Sequence, residues 1–472
     1  MKIAVAKGDG IGPEIMDAVL KVFKANKVEL EYEVVEMGKW VFDKGFSNGM
    51  TPEAQQTIEK LGVLFKGPME TPKGKGVKSV NVTARKTWNT YANKRVFQTL
   101  HGVDTVFSKG GIPIDITIVR ENIEDTYGGI EHMLTQDVAL SRRFITRPGS
   151  MQVIKYAFEM ARQKNAKRIT CGHKANIMKL TDGLFLECFY EVAKQYPELK
   201  SDDKIVDDLA MKLVVRPDEF DVIVLTNLQG DIMSDLCAGL VGGLGFAPSA
   251  NIGDHIAIFE AVHGTAPDIA GKNIANPTAL LLSGLAMLRH LGLMENAAII
   301  ENAVLYTLEQ GIHTGDFGDR SKASVNTTEF VEAIIRNFGK KPTLNPKPLL
   351  PNKPVISTLF HLEKNAMMVS KDEQTEKIVG VDMFIESTEQ PEIIADKCEL
   401  HGGTKFKLIN ISNRGTQVWP TGSRYTNLVN QYNVRFESLN EQALNQLDII
   451  GLYAMLCGDF KICSLELLNM FG

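Results

Sequence analysis

The first 340 residues of this 472-residue chain alternate short apolar runs with longer segments in which apolar residues recur at helical spacing. Residues 3–6 precede a helical pattern at 11–25, and Val222–Leu225 precedes another at 231–240. Further helices are predicted at 276–291, 295–309 and 327–338. This alternation predicts an α/β fold in which helices pack against a sheet.

The pattern breaks between Lys340 and Pro354, where five prolines rule out a regular helix. We expect an extended linker there, followed by a second unit. Its apolar runs predict strands at 378–385, 406–411, 417–419 and 432–437 and helices at 391–398 and 441–455. That order is typical of a small α+β sandwich, for example a ferredoxin-like one, and it carries no residue cluster that indicates chemistry.

Composition narrows the classes of function. Hydrophobic residues make up 44% and charged residues 23%, as in ordinary globular proteins, and a net charge of −5 without a long basic block argues against nucleic-acid binding. No export signal and no apolar run of roughly 18 residues is present, so we expect a cytoplasmic protein without a membrane span. Six cysteines without CxxC spacing indicate buried thiols in a reducing compartment.

Asp231 and Asp235 lie four residues apart at the start of a predicted helix, directly after an apolar strand. Positions i and i+4 share one helix face, so both carboxylates can meet at one hard divalent cation. Acidic pairs are also common as solvated charges on helices. The glycine-rich run at 242–253 and the position of the helix start beyond a strand favour a ligand site here.

Five motifs in a fixed order make the pattern specific. They are GDGIGPE at 8–14, REN at 120–122, HKANIMK at 173–179, the run at 227–253 and HGTAP at 263–267. Together with Tyr127 they resemble the β-decarboxylating dehydrogenases, the family of isocitrate, isopropylmalate, homoisocitrate and tartrate dehydrogenases. The resemblance implies an α/β, isocitrate/isopropylmalate dehydrogenase-like fold with large and small domains and a clasp, plus a small C-terminal α+β domain.

The resemblance also implies where the domains begin and end. The large domain would hold 1–90 and 242–340 with the cofactor loop, and the small domain 91–123 and 147–241 with the substrate, metal and dimer contacts. A clasp at 124–146, a proline-rich linker at 341–354 and a C-terminal domain at 355–472 would complete the chain. An effector module and an oligomerisation module are both compatible with that last domain.

A metal site is implied by the same resemblance. Asp231 and Asp235 of one subunit and Asp207 of another would bind Mg²⁺ or Mn²⁺, with Asp208 as the adjacent candidate for the third ligand. The metal would chelate the α-carboxylate and the C2 oxygen of the substrate. A homodimer with shared active sites, or a larger oligomer, is therefore expected.

Lys174 and Tyr127 match the acid–base residues of the family. The lysine would reach across the subunit interface to take the proton of the C2 hydroxyl, and the tyrosine would protonate C3 after loss of carbon dioxide. Three arginines would hold the carboxylates of the substrate through their planar, two-pronged side chains: Arg85, Arg95 and Arg120.

Substrate choice is indicated by Ser79 and Asn81, which stand where isocitrate enzymes of the family bind the third carboxylate. Isopropylmalate enzymes instead carry a glutamate and leucines for a branched alkyl group. A carboxylate needs hydrogen-bond donors and an alkyl chain needs a dry wall, so these residues point to isocitrate. Thr71 would also contact the substrate. Homoisocitrate and isopropylmalate are the alternative substrates, and a non-catalytic regulatory subunit is the alternative class.

The loop around the HGTAP motif is where the resemblance places a dinucleotide. The positions expected to contact it are Lys66, Glu260, His263, Gly264, Thr265, Ala266, Asp268, Ile269 and Asn276. NADP-linked relatives place Lys-Tyr where this chain has Asp268 and Ile269. A carboxylate accepts hydrogen bonds from the free ribose hydroxyls of NAD and repels a 2′-phosphate, so the sequence predicts NAD as the cofactor. A cap on the turn after Pro267 is the simpler role for Asp268.

Overall fold

The computed structural model describes residues 1–70, 79–317, 323–352, 376–422, 425–442 and 444–471. They group into two compact units, one formed by Met1–Gly128 and Arg143–Ala366 and the other by Gly129–Arg142 and Met367–Gly472. Part of the predicted clasp at 124–146 thus belongs to the second unit. The boundaries predicted between large and small α/β domains stay predictions.

The secondary structure alternates strand and helix through the first unit, as predicted. The described residues of both units together form 17 strands and 14 α-helices. The strands are β1 (Lys2–Ala6), β2 (Glu31–Val34), β3 (Val63–Lys66), β4 (Ala92–Gln98), β5 (Asp115–Glu121), β6 (Glu131–Met133), β7 (Ala139–Ser141), β8 (Arg168–His173), β9 (Lys200–Ile205), β10 (Val222–Leu225), β11 (Pro248–Ile252), β12 (Ala257–Ala261), β13 (Glu376–Glu386), β14 (Phe406–Asn413), β15 (Thr416–Trp419), β16 (Gln431–Ser438) and β17 (Lys461–Phe471). The helices are α1 (Gly12–Ala25), α2 (Lys39–Asp43), α3 (Pro52–Leu61), α4 (Val80–Thr87), α5 (Val106–Lys109), α6 (Arg147–Gln163), α7 (Thr181–Ala193), α8 (Val206–Val215), α9 (Asn227–Leu240), α10 (Thr278–His290), α11 (Met294–Glu309), α12 (Thr327–Arg336), α13 (Pro391–Gly402) and α14 (Gln446–Leu456).

A mixed sheet of ten strands runs through the described part of the first unit in the order β2-β1-β3-β12-β11-β4-β5-β10-β8-β9. Strands β5, β10, β8 and β9 are parallel neighbours, while β11 and β4 run antiparallel to the strands beside them. Parallel strands covered on both faces read as uninterrupted apolar runs, and all of Val222–Leu225 is buried. The carboxyl ends of the four parallel neighbours meet at one edge of the sheet.

Helices cover this sheet because each has an apolar face. Helix α1 buries Ile15, Met16, Val19 and Val22 at helical spacing and packs with α10, α11 and α12. Helices α6 and α7 cover one side of β5 and β10, and α8 and α9 cover the other. Helix α9 begins one turn before the predicted start, so Asp231 lies in its second turn. No helix in the described ranges is long and apolar enough to cross a membrane.

The second unit contains a five-stranded antiparallel sheet in the order β15-β14-β16-β13-β17, with α13 and α14 packed on its core. Without the added hairpin strand β15, this is the predicted ferredoxin-like order. Strand β17 was not predicted, and the predicted helix at 441–455 begins only at Gln446. The hairpin β6–β7 belongs to this unit. Cys457 is exposed, which departs from the predicted burial of the thiols.

Candidate active site

Four polar residues lie at or just after the carboxyl ends of adjacent parallel strands. Arg120 lies near the end of β5, Asn227 after β10, Lys174 after β8 and Asp207 after β9. Since these strands are neighbours, the sheet gathers the REN motif, the start of α9 and the HKANIMK motif along one edge.

Asp231 is the centre of a cluster formed by a buried cation and a tyrosine. Arg120 donates to Asp231 Oδ1, and it also donates to Asn227 Oδ1 from Nε at 3.0 Å and from Nη2 at 2.7 Å. The Tyr127 hydroxyl donates to Asp231 Oδ2 at 2.6 Å. Burial lowers the pKa of Arg120 and raises the pKa of Tyr127. The tyrosine therefore keeps its proton at neutral pH, as a proton donor must.

A second buried guanidinium reaches the same helix face from β4. Arg95 donates from Nη1 to Ser234 Oγ at 2.6 Å and from Nε to Asn93 Oδ1 at 2.7 Å. Its terminal nitrogens lie 3.4 Å from Asp231 Oδ1 and 3.6 Å from Asp235 Oδ1. Burial lowers the pKa of Arg95 to about 10, so the side chain remains a cation at neutral pH.

The two aspartates of α9 differ in charge environment. Burial would raise the pKa of Asp231, but Arg120 and Tyr127 more than offset it and the pKa is lowered. Burial raises the pKa of Asp235, and the neighbouring Asp231 carboxylate adds to that. Paired carboxylates that repel each other are a donor set that fits Mg²⁺ or Mn²⁺. Among the described residues of one chain, no group of three His, Cys, Asp or Glu side chains is placed to hold a metal.

Lys174 and Asp207 form a separate pair. The Lys174 ammonium donates to Asp207 Oδ1, and the Asp207 side chain is 69% exposed. His173 beside it lies 2.9 Å from Asp203 Oδ2 through Nε2, which anchors the end of β8 to β9. In the part of the chain that the structure describes, no hydrogen bond or ion pair joins Lys174 or Asp207 to Asp231.

A network of charged side chains that the sequence analysis missed fixes the backbone around both groups. Arg143 donates to Asp125 Oδ1 from Nε and to Asp182 Oδ1 from Nη1, each at 2.5 Å. Asp182 Oδ2 accepts from the backbone nitrogen of Lys174 at 2.6 Å, and Asp125 Oδ2 accepts from that of Leu228 at 3.1 Å. Both aspartates are fully buried. Because the partners are far apart in sequence, no local sequence pattern predicts this network.

Glu260 joins two cations that the sequence analysis assigned to different ligands. Its carboxylate lies 2.5 Å from Lys66 Nζ, and it accepts from Arg85 Nη2 at 3.0 Å and from Asn251 Nδ2 at 2.7 Å. Burial would raise the pKa of Glu260, but Lys66 and Arg85 lower it overall. Lys66 and Glu260 are 1% and 4% exposed, so they form a buried ion network behind Arg85. Their contact with a cofactor stays a prediction.

The predicted substrate residues of α4 keep unsatisfied polar atoms. Arg85 Nε and Asn81 Oδ1 are buried and have no hydrogen-bond partner among the described residues. Such atoms are expected to be satisfied by a bound molecule or water. Ser79 stands at the N-cap position of α4. Thr71 lies outside the described residues.

The HGTAP loop has open space and one unsatisfied ring nitrogen. A side chain at Gly264 would meet no atom within 4 Å, and Ala266 adopts a positive φ of 40°. Nε2 of His263 is buried without a partner in the described ranges, and burial lowers the pKa of His263, so the imidazole is neutral at neutral pH. Asp268 is exposed, whereas Ile269 is half-buried against the core. These features fit a dinucleotide laid along the loop.

The N-terminal glycine motif packs directly against this loop. The backbone nitrogen of Ile11 donates to Thr265 O at 2.9 Å. A Cβ at Gly10 would lie 2.1 Å from the same oxygen, so only glycine allows this approach. On the far side, Asn276 donates to Asp316 Oδ2 at 3.0 Å, a partner that the sequence analysis did not name.

A sheet edge with paired carboxylates, buried arginines and a glycine-supported loop defines a dehydrogenase-like site. Residues 2–334 match the family model described as isocitrate/isopropylmalate dehydrogenase. The chain therefore belongs to the isocitrate/isopropylmalate dehydrogenase family. Residues 376–472 match the model described as bacterial isocitrate dehydrogenase, C-terminal domain. The predicted family and fold are confirmed.

Similar proteins cover nearly the whole chain. A protein named isocitrate dehydrogenase [NADP] from Thermus thermophilus is 46% identical over 472 residues, which is 99% of this chain and 93% of the relative. A protein of the same name from Rickettsia bellii is 40% identical, over 95% of this chain and 92% of the relative. The crystal structure of TT0538 protein from Thermus thermophilus has a TM-score of 0.91 and 45% identity, covering 100% of this chain and 94% of that chain.

The prediction of an NAD-dependent enzyme with NAD as the cofactor is wrong on this comparison, because relatives that match at least 95% of the chain are named NADP enzymes. The prediction treated the Asp268 carboxylate as the deciding charge near the ribose. Cations also occur in the sequence that follows the cofactor loop, at Arg320 and Lys322, in a segment outside the described residues. The charge at position 268 alone therefore does not decide the cofactor.

Proposed function

We propose that the chain is an isocitrate dehydrogenase that oxidises the C2 hydroxyl of isocitrate and releases the β-carboxylate as carbon dioxide, forming 2-oxoglutarate. The observation that carries this proposal is the convergence of Arg95, Arg120 and Tyr127 on the carboxylates of α9. Buried guanidinium groups suit a substrate with several carboxylates. The names of the relatives that match the whole chain support the same substrate.

NADP is the proposed hydride acceptor. It is supported by the names of the full-length relatives and by the HGTAP loop, where the neutral His263 and the open space at Gly264 fit a dinucleotide. In the reaction, C2 would give a hydride to the nicotinamide, and the hydroxyl proton would go to Lys174 in its neutral amine form. Loss of carbon dioxide would then leave an enolate, which Tyr127 would protonate at C3.

Substrate carboxylates would be held by Arg85, Arg95 and Arg120. The unsatisfied Nε of Arg85 is a donor available to one of them. The neighbouring Asn81 would contribute after a flip of its amide, which exchanges oxygen and nitrogen and presents the NH₂ group to a carboxylate. The role of Ser79 as a further donor stays a prediction.

Asp231 and Asp235 of one subunit and Asp207 of another would hold Mg²⁺ or Mn²⁺. When bound, such a metal would polarise the C2 oxygen and stabilise the negative charge that decarboxylation leaves. Arg95 and Arg120 would keep Asp231 ionised for this purpose, since both lower its pKa. Lys174 would come from the same subunit as Asp207, with which it pairs.

A homodimer follows from this division of residues. One chain would give both Lys174 and Asp207 to the site of the other, because the two already contact each other and make no bond to Asp231 within the described residues. Exposed apolar side chains lie on the loop after β8 and on α8 and α9, which indicates a surface that another chain covers. They are Ile177, Leu180, Met211, Val214, Val215 and Ile232. A larger oligomer and a cytoplasmic location stay predictions.

A steady-state assay of the purified full chain tests this function. Isocitrate with NADP and Mg²⁺ should yield 2-oxoglutarate and NADPH, and EDTA should abolish turnover. Preferential turnover of homoisocitrate or isopropylmalate would contradict isocitrate as the proposed substrate. A higher kcat/KM with NAD than with NADP would contradict NADP as the proposed cofactor. No turnover of any of these substrates would favour a regulatory subunit instead.

A further inference from the structure

A cavity of about 400 Å³ lies within the first unit, apart from the candidate active site. Residues of β4, β11, α10 and α11 line it together with part of the chain at 347–350. None of the side chains proposed for catalysis, substrate or metal is among them. Ligand pockets in proteins begin at about 300 Å³, so the cavity has room for a small organic molecule.

Lys94 is the feature of this cavity that needs an explanation. It stands on β4, next to Arg95, in the interior of the large sheet. Successive strand residues point to opposite faces, so Lys94 points away from the face on which Arg95 meets α9. Its ammonium has no hydrogen-bond or ion-pair partner among the described residues. Burial, with Lys164 and Arg289 nearby, lowers the pKa of Lys94 to about 8.

The other charged groups around the cavity are already paired. Arg289 donates to Glu301, and Lys347 Nζ lies 3.5 Å from the second oxygen of the same carboxylate. Lys164, the residue directly after α6, pairs with Asp115 at 2.7 Å. One lining carboxylate therefore serves two lining cations. Lys94 adds a third positive charge for which the described lining offers no counter-ion.

Much of the remaining wall is apolar. Its apolar side chains include Leu100, Phe246, Leu282, Ala286, Met294 and Leu350. An inorganic anion would leave these side chains uncovered, whereas an organic acid would pair with the cation and pack its carbon chain against the wall. We propose that this cavity binds a medium-chain carboxylate and that the Lys94 ammonium is the partner of its carboxylate group.

Isothermal titration calorimetry of the full chain at pH 7 tests the proposal, with octanoate and inorganic phosphate as separate probes. Octanoate should bind saturably with one site per chain, and phosphate should bind far more weakly. Lys94→Met keeps the length of the side chain and removes its charge, so it should weaken octanoate binding about tenfold or more. Lys60→Met, on the exposed face of α3, is the matched control and should leave binding unchanged.

A second variant and a pH series keep the test decisive if Lys94→Met misfolds. Ala286→Phe places a ring into the cavity from α10 without changing charge, and it should abolish octanoate binding while the circular dichroism spectrum is retained. Octanoate stays ionised from pH 7 to pH 9, but Lys94 loses its proton through this range, so the affinity of the parent should fall.

Three outcomes would overturn the proposal: no saturable binding of octanoate by the parent, equal binding by parent, Lys94→Met and Ala286→Phe, or phosphate binding as tight as that of octanoate. The measurement uses no isocitrate, NADP or turnover. Its failure would therefore leave the proposed dehydrogenase activity untouched.

Discussion

The two parts of the candidate active site are built in different ways. Around Asp231, the cations Arg95 and Arg120 are buried and held by neighbouring side chains, whereas the Lys174–Asp207 pair is partly open to solvent. Buried, pre-oriented cations hold a substrate without rearrangement. An exposed ion pair is weak because water screens it, so it parts easily when a better partner arrives. The cluster of Arg95 and Arg120 is therefore suited to hold a substrate within its own chain. The Lys174–Asp207 pair is suited to complete the site of another chain.

Asp231→Asn should give the largest effect on this arrangement, because it removes a proposed metal ligand and the shared partner of Arg95 and Arg120. We expect kcat to fall about 10³-fold at saturating Mg²⁺. Steady-state kinetics with isocitrate and NADP measure this. Asp208→Asn is the control, since Asp208 pairs with Lys212 on the surface of α8 and should be dispensable. A full loss in Asp208→Asn with none in Asp207→Asn would exchange their proposed roles.

Mixing two inactive variants tests the division between subunits. In a dimer of one Asp231→Asn chain and one Lys174→Met chain, shared sites would concentrate both defects in one site and leave the other intact. Random reassociation at equal amounts makes half of the dimers mixed, so activity should return to about one quarter of the parent. If each chain used its own lysine, the mixture would remain as inactive as its components.

The Arg143 network should matter less, because its members would position the proposed catalytic groups without touching the substrate. Arg143→Met leaves Asp125 and Asp182 buried without their cation, and we expect kcat to fall about ten- to a hundredfold with a smaller change in KM for isocitrate. Arg143→Lys should recover part of the loss. Arg142→Met, next in sequence but paired with Glu466, is the control. If Arg143→Met and Arg142→Met lowered kcat equally, the network would contribute only to folding and not to the position of the catalytic groups.

Glu260→Gln should change the free energy of unfolding more than the rate of the reaction. The pKa of Glu260 is lowered in the folded chain, so its ion pairs stabilise the fold above the ordinary pKa of 4.5, and this contribution is lost as pH falls below that value. At pH 7 the variant should lose roughly 3 kcal/mol, or about 4 °C in Tm. The difference from the parent should shrink in thermal scans below pH 4.5.

The control for this prediction is Glu332→Gln, which removes the exposed pair with Lys21 and should cost less than about 1 kcal/mol. Equal shifts in Tm for the two variants, or a constant difference between Glu260→Gln and the parent at every pH, would contradict the buried ion network.

The local pattern of apolar and polar residues predicted those elements of the fold that depend on residues close together in the sequence. The strand Val222–Leu225 and the start of α12 at Thr327 agree with the structure, the latter because Asn326 and Glu329 form a capping box. Strand β17 escaped prediction because its pairing with β13 is irregular, with register shifts between Ile378 and Gly380 and between Phe384 and Ile385. Such bulges break the alternation on which strand prediction depends.

The site residues also divide into those that nearby sequence predicts and those that depend on distant residues. The spacing of Asp231 and Asp235 was readable because both lie on one helix, and their shared contact with Arg95 is seen in the structure. The partners of Arg143 were not readable, because Asp125 and Asp182 lie 18 and 39 residues away. The cofactor prediction failed because it rested on one carboxylate, Asp268, and the charge at one position does not fix the specificity of a whole binding site.

The short hairpin β6–β7 constrains how the molecule can be shortened or recombined. Thr135 Oγ1 lies 3.0 Å from Asn430 Oδ1, and Arg142 pairs with Glu466, so the hairpin and the C-terminal residues form one body. That body is encoded by two separate stretches of the gene. A deletion that ends the protein near the proline-rich segment would leave only residues 129–142 of this body, and a graft of the C-terminal stretch onto a shorter relative would have to carry those residues along with it.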